Sequence, residues 1–223
     1  HGVSEVIGDR AFSSKPDIIV KLAEALMKGM EDAGMAATGK HFPGHGAVVA
    51  DSHLALPVDE RSYDEIARED LCVFSTLISA DIPALMPAHV VYSKVDGAPA
   101  GFSKVWMQDI LRQKLGFKGV IFSDDLGMAG AEFAGGFADR AKAALLAGCD
   151  MVLVCNDPSG AQEVAGFLER EGWQSSTRLQ AMRGRSGPSR GREPPMNHCS
   201  PDAGRDDGME TIVRKTETAS RYE

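Results

Sequence analysis

Gly119-Val120-Ile121-Phe122-Ser123-Asp124-Asp125 is a continuous apolar run that ends in two carboxylates. An apolar stretch this short, without polar alternation, suits a strand covered on both faces, as in a parallel sheet flanked by helices. The pattern recurs on either side. Residues 36–42 run into Pro43-Gly44-His45-Gly46, residues 83–86 run into PAHVVYSKVDG, and residues 150–155 read DMVLVC. Between these strands the spacing predicts helices over 16–34, 62–80, 103–115, 138–147 and 159–170. The first has Pro16 at its opening position and Ile18, Ile19, Leu22, Leu26 and Met30 at helical intervals, and Gly34 stops it. Ser62 and Glu65 have capping-box spacing at the start of the second. Strands alternating with helices define an α/β fold with a parallel sheet. Four strands are expected, with the polar clusters at their C-terminal ends, where both doubly wound sheets and eightfold barrels carry their chemistry.

Composition narrows the partners. At 223 residues and 43% hydrophobic the chain can bury a substantial core, and a net charge of −8 argues against a nucleic-acid partner. No apolar run reaches the length of a membrane span, so no membrane partner is expected. Cys72, Cys149, Cys155 and Cys199 have neither metal-ligand nor disulfide-framework spacing; they are expected as free thiols, mostly buried, in a reducing compartment. Residues 186–223 are rich in Gly, Pro, Ser, Arg and Asp without periodicity, and read as a disordered or non-native tail after a domain spanning 1–185.

Four clusters can carry chemistry. Lys40 and His41 sit at a strand end, where a fixed cation and a directional donor suit the hydroxyl or amide groups of a sugar. Asp51 and His53 are two apart in a loop, so the carboxylate can orient one face of the imidazole and leave the other for proton transfer; the plain alternative is an Asx-type turn. Asp124 stands at the mouth of a buried strand, while Asp125 better suits a helix-capping role. Arg10 can clamp a carboxylate or sugar hydroxyls. His41, His45, Asp51 and His53 also allow a zinc-site reading, although their spacing matches no helical metal-binding pair. No phosphate-binding glycine loop is present, and no cofactor or resident metal is expected.

Taken together, GDRAFSS, GKHFPGHG, DSHLALP, MPAHVVY and IFSDDLGM resemble the β-N-acetylglucosaminidase branch of glycoside hydrolase family 3 over about residues 1–185. The resemblance implies a (β/α)8 TIM-type barrel, here incomplete at the N-terminus, since family members carry further barrel strands upstream of His1. An opened barrel leaves a sheet edge uncovered, so the isolated chain is expected to be unstable or to aggregate. The resemblance further implies retaining hydrolysis with Asp124 as nucleophile, His53 as general acid/base assisted by Asp51, and Arg10, Lys40 and His41 binding N-acetylglucosamine. The implied substrate is a peptidoglycan (anhydro-muropeptide) fragment met during cell-wall recycling, and the implied enzyme is cytoplasmic and monomeric. A histidine in place of the second carboxylate suits this chemistry, because imidazole titrates near neutrality and can give and then retrieve a proton. Two rival readings stand beside it: a metal-dependent hydrolase built on the histidines, and an inactive sugar-binding remnant keeping Arg10, Lys40 and His41.

Overall fold

The structure is a computed structural model that describes residues 4, 7–48 and 56–184. Four strands form one parallel sheet: β1 (Thr38–Phe42), β3 (Ala84–Pro87), β5 (Val120–Asp125) and β6 (Met151–Leu153). Their order in the sheet is their order in the chain. A doubly wound sheet reverses direction at a switch point, whereas a barrel adds each strand on the same side. The sequential order therefore describes an arc of a (β/α)8-type barrel.

The helices follow the predicted pattern. α1 (Pro16–Asp32) starts with Pro16 after the extended Lys15 and ends just before Gly34 at φ 77°. Ala23 and the flanking Ile19, Val20 and Met27 face the core, while Ile18, Leu22 and Leu26 lie exposed along the opposite stripe. α2 (Tyr63–Ile66) opens on the predicted capping box: the Ser62 hydroxyl accepts from the Glu65 amide at 3.4 Å, and Glu65 accepts from the Ser62 amide at 2.7 Å. It passes through a wide π turn (Ala67–Leu71) into α3 (Cys72–Ser79). The predicted helix over 103–115 is a π-helix, Val105–Lys114. Over two or three turns, side-chain spacing cannot separate that winding from an α-helix. α4 (Phe137–Ala147) and α5 (Pro158–Arg170) complete the set; Asp157 caps α5 by accepting from the Gly160 amide at 2.8 Å.

A second, two-stranded parallel sheet pairs β2 (Val58–Asp59) with β4 (Val91–Tyr92), in segments that the sequence suggests are loops. Two residues cannot display a period, and this pairing exists because the loops after β1 and β3 meet. The thiols also depart from expectation. Cys149 is buried and its proton affinity is pushed up to about 12 by that burial, but Cys72 is half-buried and Cys155 is exposed.

The core beneath the C-terminal end of β1 is aromatic. Phe42, directly after His41, is fully buried between Phe74 (ring centres 5.3 Å apart) and Trp106 (6.1 Å), and Tyr92 meets Trp106 at 5.0 Å. Edge-to-face contacts of this kind add to the area such rings bury. Gly39 lies where β1 comes closest to its neighbours: a Cβ there would sit 2.8 Å from the Ile82 side chain and 2.9 Å from Leu85. The end of β1 is thereby clamped, and the residues after it are aimed by a packed core.

Candidate active site

Apart from Arg10, every chemistry-bearing side chain in the described site comes from the C-terminal end of a main-sheet strand or the loop after it. β1 supplies Lys40 and His41, the segment after β3 supplies His89, and β5 supplies Asp124 and Asp125. The short 3-10 turn Gly8–Arg10 brings Arg10 close enough for its charge to act on His41. Asp51 and His53 lie outside the described residues.

The two carboxylates of the Ser-Asp-Asp run divide their work. Asp125 is committed to the backbone: its Oδ1 accepts from the amides of Gly127 and Cys155, both at 2.9 Å, tying the end of β5 to the loop after β6. That is a loop brace, where the sequence suggests a helix cap. Ser123 braces the same place, its hydroxyl accepting from the Leu153 amide at 3.0 Å where the pairing of β5 and β6 shifts register. Asp124 is left for other purposes. Its Oδ1 accepts from the Asp125 amide at 2.9 Å, and its Oδ2 stands 3.7 Å from His41 Nε2.

His41 is uncharged at neutral pH. Burial depresses its proton affinity to about 4 against the attraction of Asp124, and the nearby charges of Lys40 and Arg10 add to the depression. The approach to Asp124 is therefore polar contact, with no ion pair to neutralise the carboxylate. A neutral imidazole can donate to a ligand beside Asp124 and leave the anion its charge. Lys40 is exposed next to it, and His45 is buried edge-on to His41 with ring centres 5.7 Å apart.

Sequence reasoning assigned no role to several residues that hold this arrangement. His89, 1% exposed, places Nε2 3.0 Å from the Asp125 carbonyl oxygen and stacks on Phe102 at 5.3 Å. The Tyr92 hydroxyl donates to the Gly44 carbonyl at 2.7 Å, anchoring the loop after β1. Arg61 joins Asp59 (2.7 Å), Glu69 (2.9 Å) and Asp70 (2.6 Å), and Asp70 packs directly under Gly44, at φ 151°, where no side chain fits. The signal available for His89 was its position, two residues past a strand end; nothing local marks Arg61 or Tyr92. Among the described residues, no three His, Cys, Asp or Glu side chains gather as a metal site. A cavity does open at the far, N-terminal end of the strands, lined by Met27, Ala37, Ile82 and Phe117 among others. None of the buried polar side chains reaches it.

A carboxylate and a neutral imidazole at the mouth of sequentially ordered parallel strands accord with the comparisons to known proteins. The glycosyl hydrolase family 3 N-terminal domain matches residues 2–181. The chain belongs to glycoside hydrolase family 3. A β-hexosaminidase of Thiobacillus denitrificans is 57% identical over 183 residues, covering 82% of this chain and 51% of the relative. Among solved structures of the family, NagZ from Neisseria gonorrhoeae in complex with N-trifluoroacetyl-D-glucosamine superposes with a TM-score of 0.72 at 49% identity, over 82% of this chain and 53% of that one. A family 3 β-N-acetylglucosaminidase from a Paenibacillus species gives 0.74 at 32% identity, over 82% and 36%. The chain spans about half the length of the curated relatives it matches. No helix among the described residues is long and apolar enough to cross a membrane.

Proposed function

We propose that residues 1–185 carry the catalytic machinery of a retaining β-N-acetylglucosaminidase with Asp124 as its nucleophile. The observation that carries this reading is the division between the two adjacent carboxylates: Asp125 is consumed by backbone amides, while among the described residues Asp124 keeps an oxygen uncommitted beside a neutral His41. Asp124 attacks the anomeric carbon as the glycosidic C–O bond breaks. His53, oriented by Asp51, gives its proton to the departing oxygen. Water then attacks the glycosyl-enzyme, returns a proton to His53 and frees Asp124, so a two-step displacement retains configuration. Lys40, His41 and Arg10 hold the N-acetylglucosamine unit, and the low proton affinity of His41 keeps it a hydrogen-bonding group that does not quench the nucleophile. The likeness to β-hexosaminidases, and to a NagZ crystallised with an N-acylated glucosamine, supports the sugar specificity.

In this reading the substrate is a peptidoglycan fragment with a terminal β-linked N-acetylglucosamine, the compartment is the cytoplasm, and the working form is a monomer. Trapping with a fluorinated N-acetylglucosaminide tests the assignment. Peptide mass spectrometry is expected to place the covalent sugar on Asp124. A label on Asp125, or none on the whole chain, rejects it, and sugar binding without a label would indicate a binding remnant.

A further inference from the structure

His89 is a polar ring with almost no solvent contact, a placement that costs desolvation unless its polar atoms are used. One of them is. A carbonyl can only accept, so the 3.0 Å contact to the Asp125 oxygen requires a proton on His89 Nε2. The other nitrogen, Nδ1, is buried and makes no hydrogen bond among the described residues. A proton there would be a buried donor without an acceptor, so the ring is held as the neutral Nε2–H tautomer. Burial lowers its proton affinity against the pull of Asp124 and Asp125, with Arg140 adding to the lowering. Stacking on Phe102, with the rings 9° from parallel, fixes the plane of the imidazole, and the Nε2 contact fixes which edge faces Asp125.

The residue it grips is the one on which Asp124 rests. The Asp125 amide donates to Asp124 Oδ1 at 2.9 Å, the Asp125 side chain is tied to Gly127 and Cys155, and its carbonyl is held by His89. Asp125 is thus bound through amide, side chain and carbonyl, and His89 supplies the carbonyl contact from the loop after β3. Because Nδ1 is inaccessible, His89 does not touch a ligand.

We infer that His89 is a positioning residue for Asp124, a neutral donor on β3's exit loop that fixes the Asp125 peptide and so sets the aim of the neighbouring carboxylate. The inference rests on the glycosidase reading for its consequence in catalysis, though not for its geometry. An attacking oxygen displaced by a fraction of an ångström loses rate without losing substrate affinity.

Two variants of the full chain separate positioning from packing. His89→Phe keeps the ring and the stack but removes the donor; His89→Gln restores a neutral N–H of similar reach. With the fluorinated N-acetylglucosaminide, His89→Phe is expected to label Asp124 on the order of tenfold to a hundredfold more slowly at unchanged half-saturation. His89→Gln should recover most of that rate. Wild-type speed in His89→Phe, or equal slowness in both variants, overturns the inference while leaving Asp124's assignment standing. If wild type takes no label, the glycosidase reading falls and carboxyl-carbon NMR decides the inference alone. The Asp124 carboxyl-carbon resonance should move in His89→Phe and return in His89→Gln. An unmoved resonance overturns the positioning role.

Discussion

Asp124 and Asp150 stand at opposite ends of the same pair of strands and are treated in opposite ways. Asp150 precedes β6 at the N-terminal face. Its Oδ2 accepts from the Ile121 amide at 2.9 Å and from Arg112 at 2.8 Å, and its Oδ1 from the Ser176 hydroxyl at 2.6 Å and from Arg178 at 3.1 Å. Arg112 is itself spent on the carbonyls of Phe117 (3.0 Å) and Gly119 (2.7 Å). Asp124, at the C-terminal face, has one backbone donor and a neutral imidazole at 3.7 Å. Their side chains are 5% and 13% exposed, so burial hardly distinguishes them. The partners do: a carboxylate with every lone pair answered holds the fold, and one with an oxygen in reserve is available to a ligand.

The largest expected effect sharpens that contrast. Asp124→Asn should lower hydrolysis of a chromogenic N-acetylglucosaminide by about four orders of magnitude or more. Its melting temperature should stay near that of wild type, and a large drop would mean the two faces are alike. Asp150→Ala is expected to do the reverse. Removing the carboxylate leaves half-buried Arg112 and the Ile121 amide without their acceptor and costs about 3–5 kcal/mol, read as a lower urea midpoint.

A third expectation concerns pH. His41 binds its proton less well when folded than when unfolded, so between about pH 6.5 and about 4 the unfolded chain takes up more protons. Stability is fully present above pH 6.5 and falls on acidification by about 3 kcal/mol across that window. Urea midpoints at pH 7 and pH 4.5 measure it, and His41→Asn should flatten the difference; an unchanged slope would mean that burial of His41 is not what resists acid. The smallest effect tests whether everything at the catalytic face serves chemistry. Ser62→Ala removes the capping box of α2, and should cost about 1 kcal/mol while leaving Asp124 labelling unaltered.

Much of this is legible in the sequence. The strand at 119–123, the Pro16 start and Gly34 stop of α1, the Ser62 cap and the strand-end position of Asp124 are local features, carried by apolar runs and by residues with restricted backbone geometry. The β2–β4 pairing was not readable, since each partner is two residues long and finds the other only through the meeting of two loops. His89 and Tyr92 lay in a stretch whose apolar letters say nothing of what a ring nitrogen or hydroxyl will meet. The described cysteines are free thiols as the sequence suggests, while Cys199 lies outside the described residues; the exposure of Cys155 is not legible because it depends on where the loop after β6 comes to rest.

By itself, then, the sequence determined the alternation of strands and helices and the residue types delivered to the strand ends, because periodicity and chain punctuation act over a few residues. Only the tertiary structure decided which of two adjacent aspartates is free, that His41 is neutral, and that His89 grips the peptide beside Asp124. Those properties come from burial and from partners as far as 83 residues away along the chain, as with His41 and Asp124, and no local pattern encodes them.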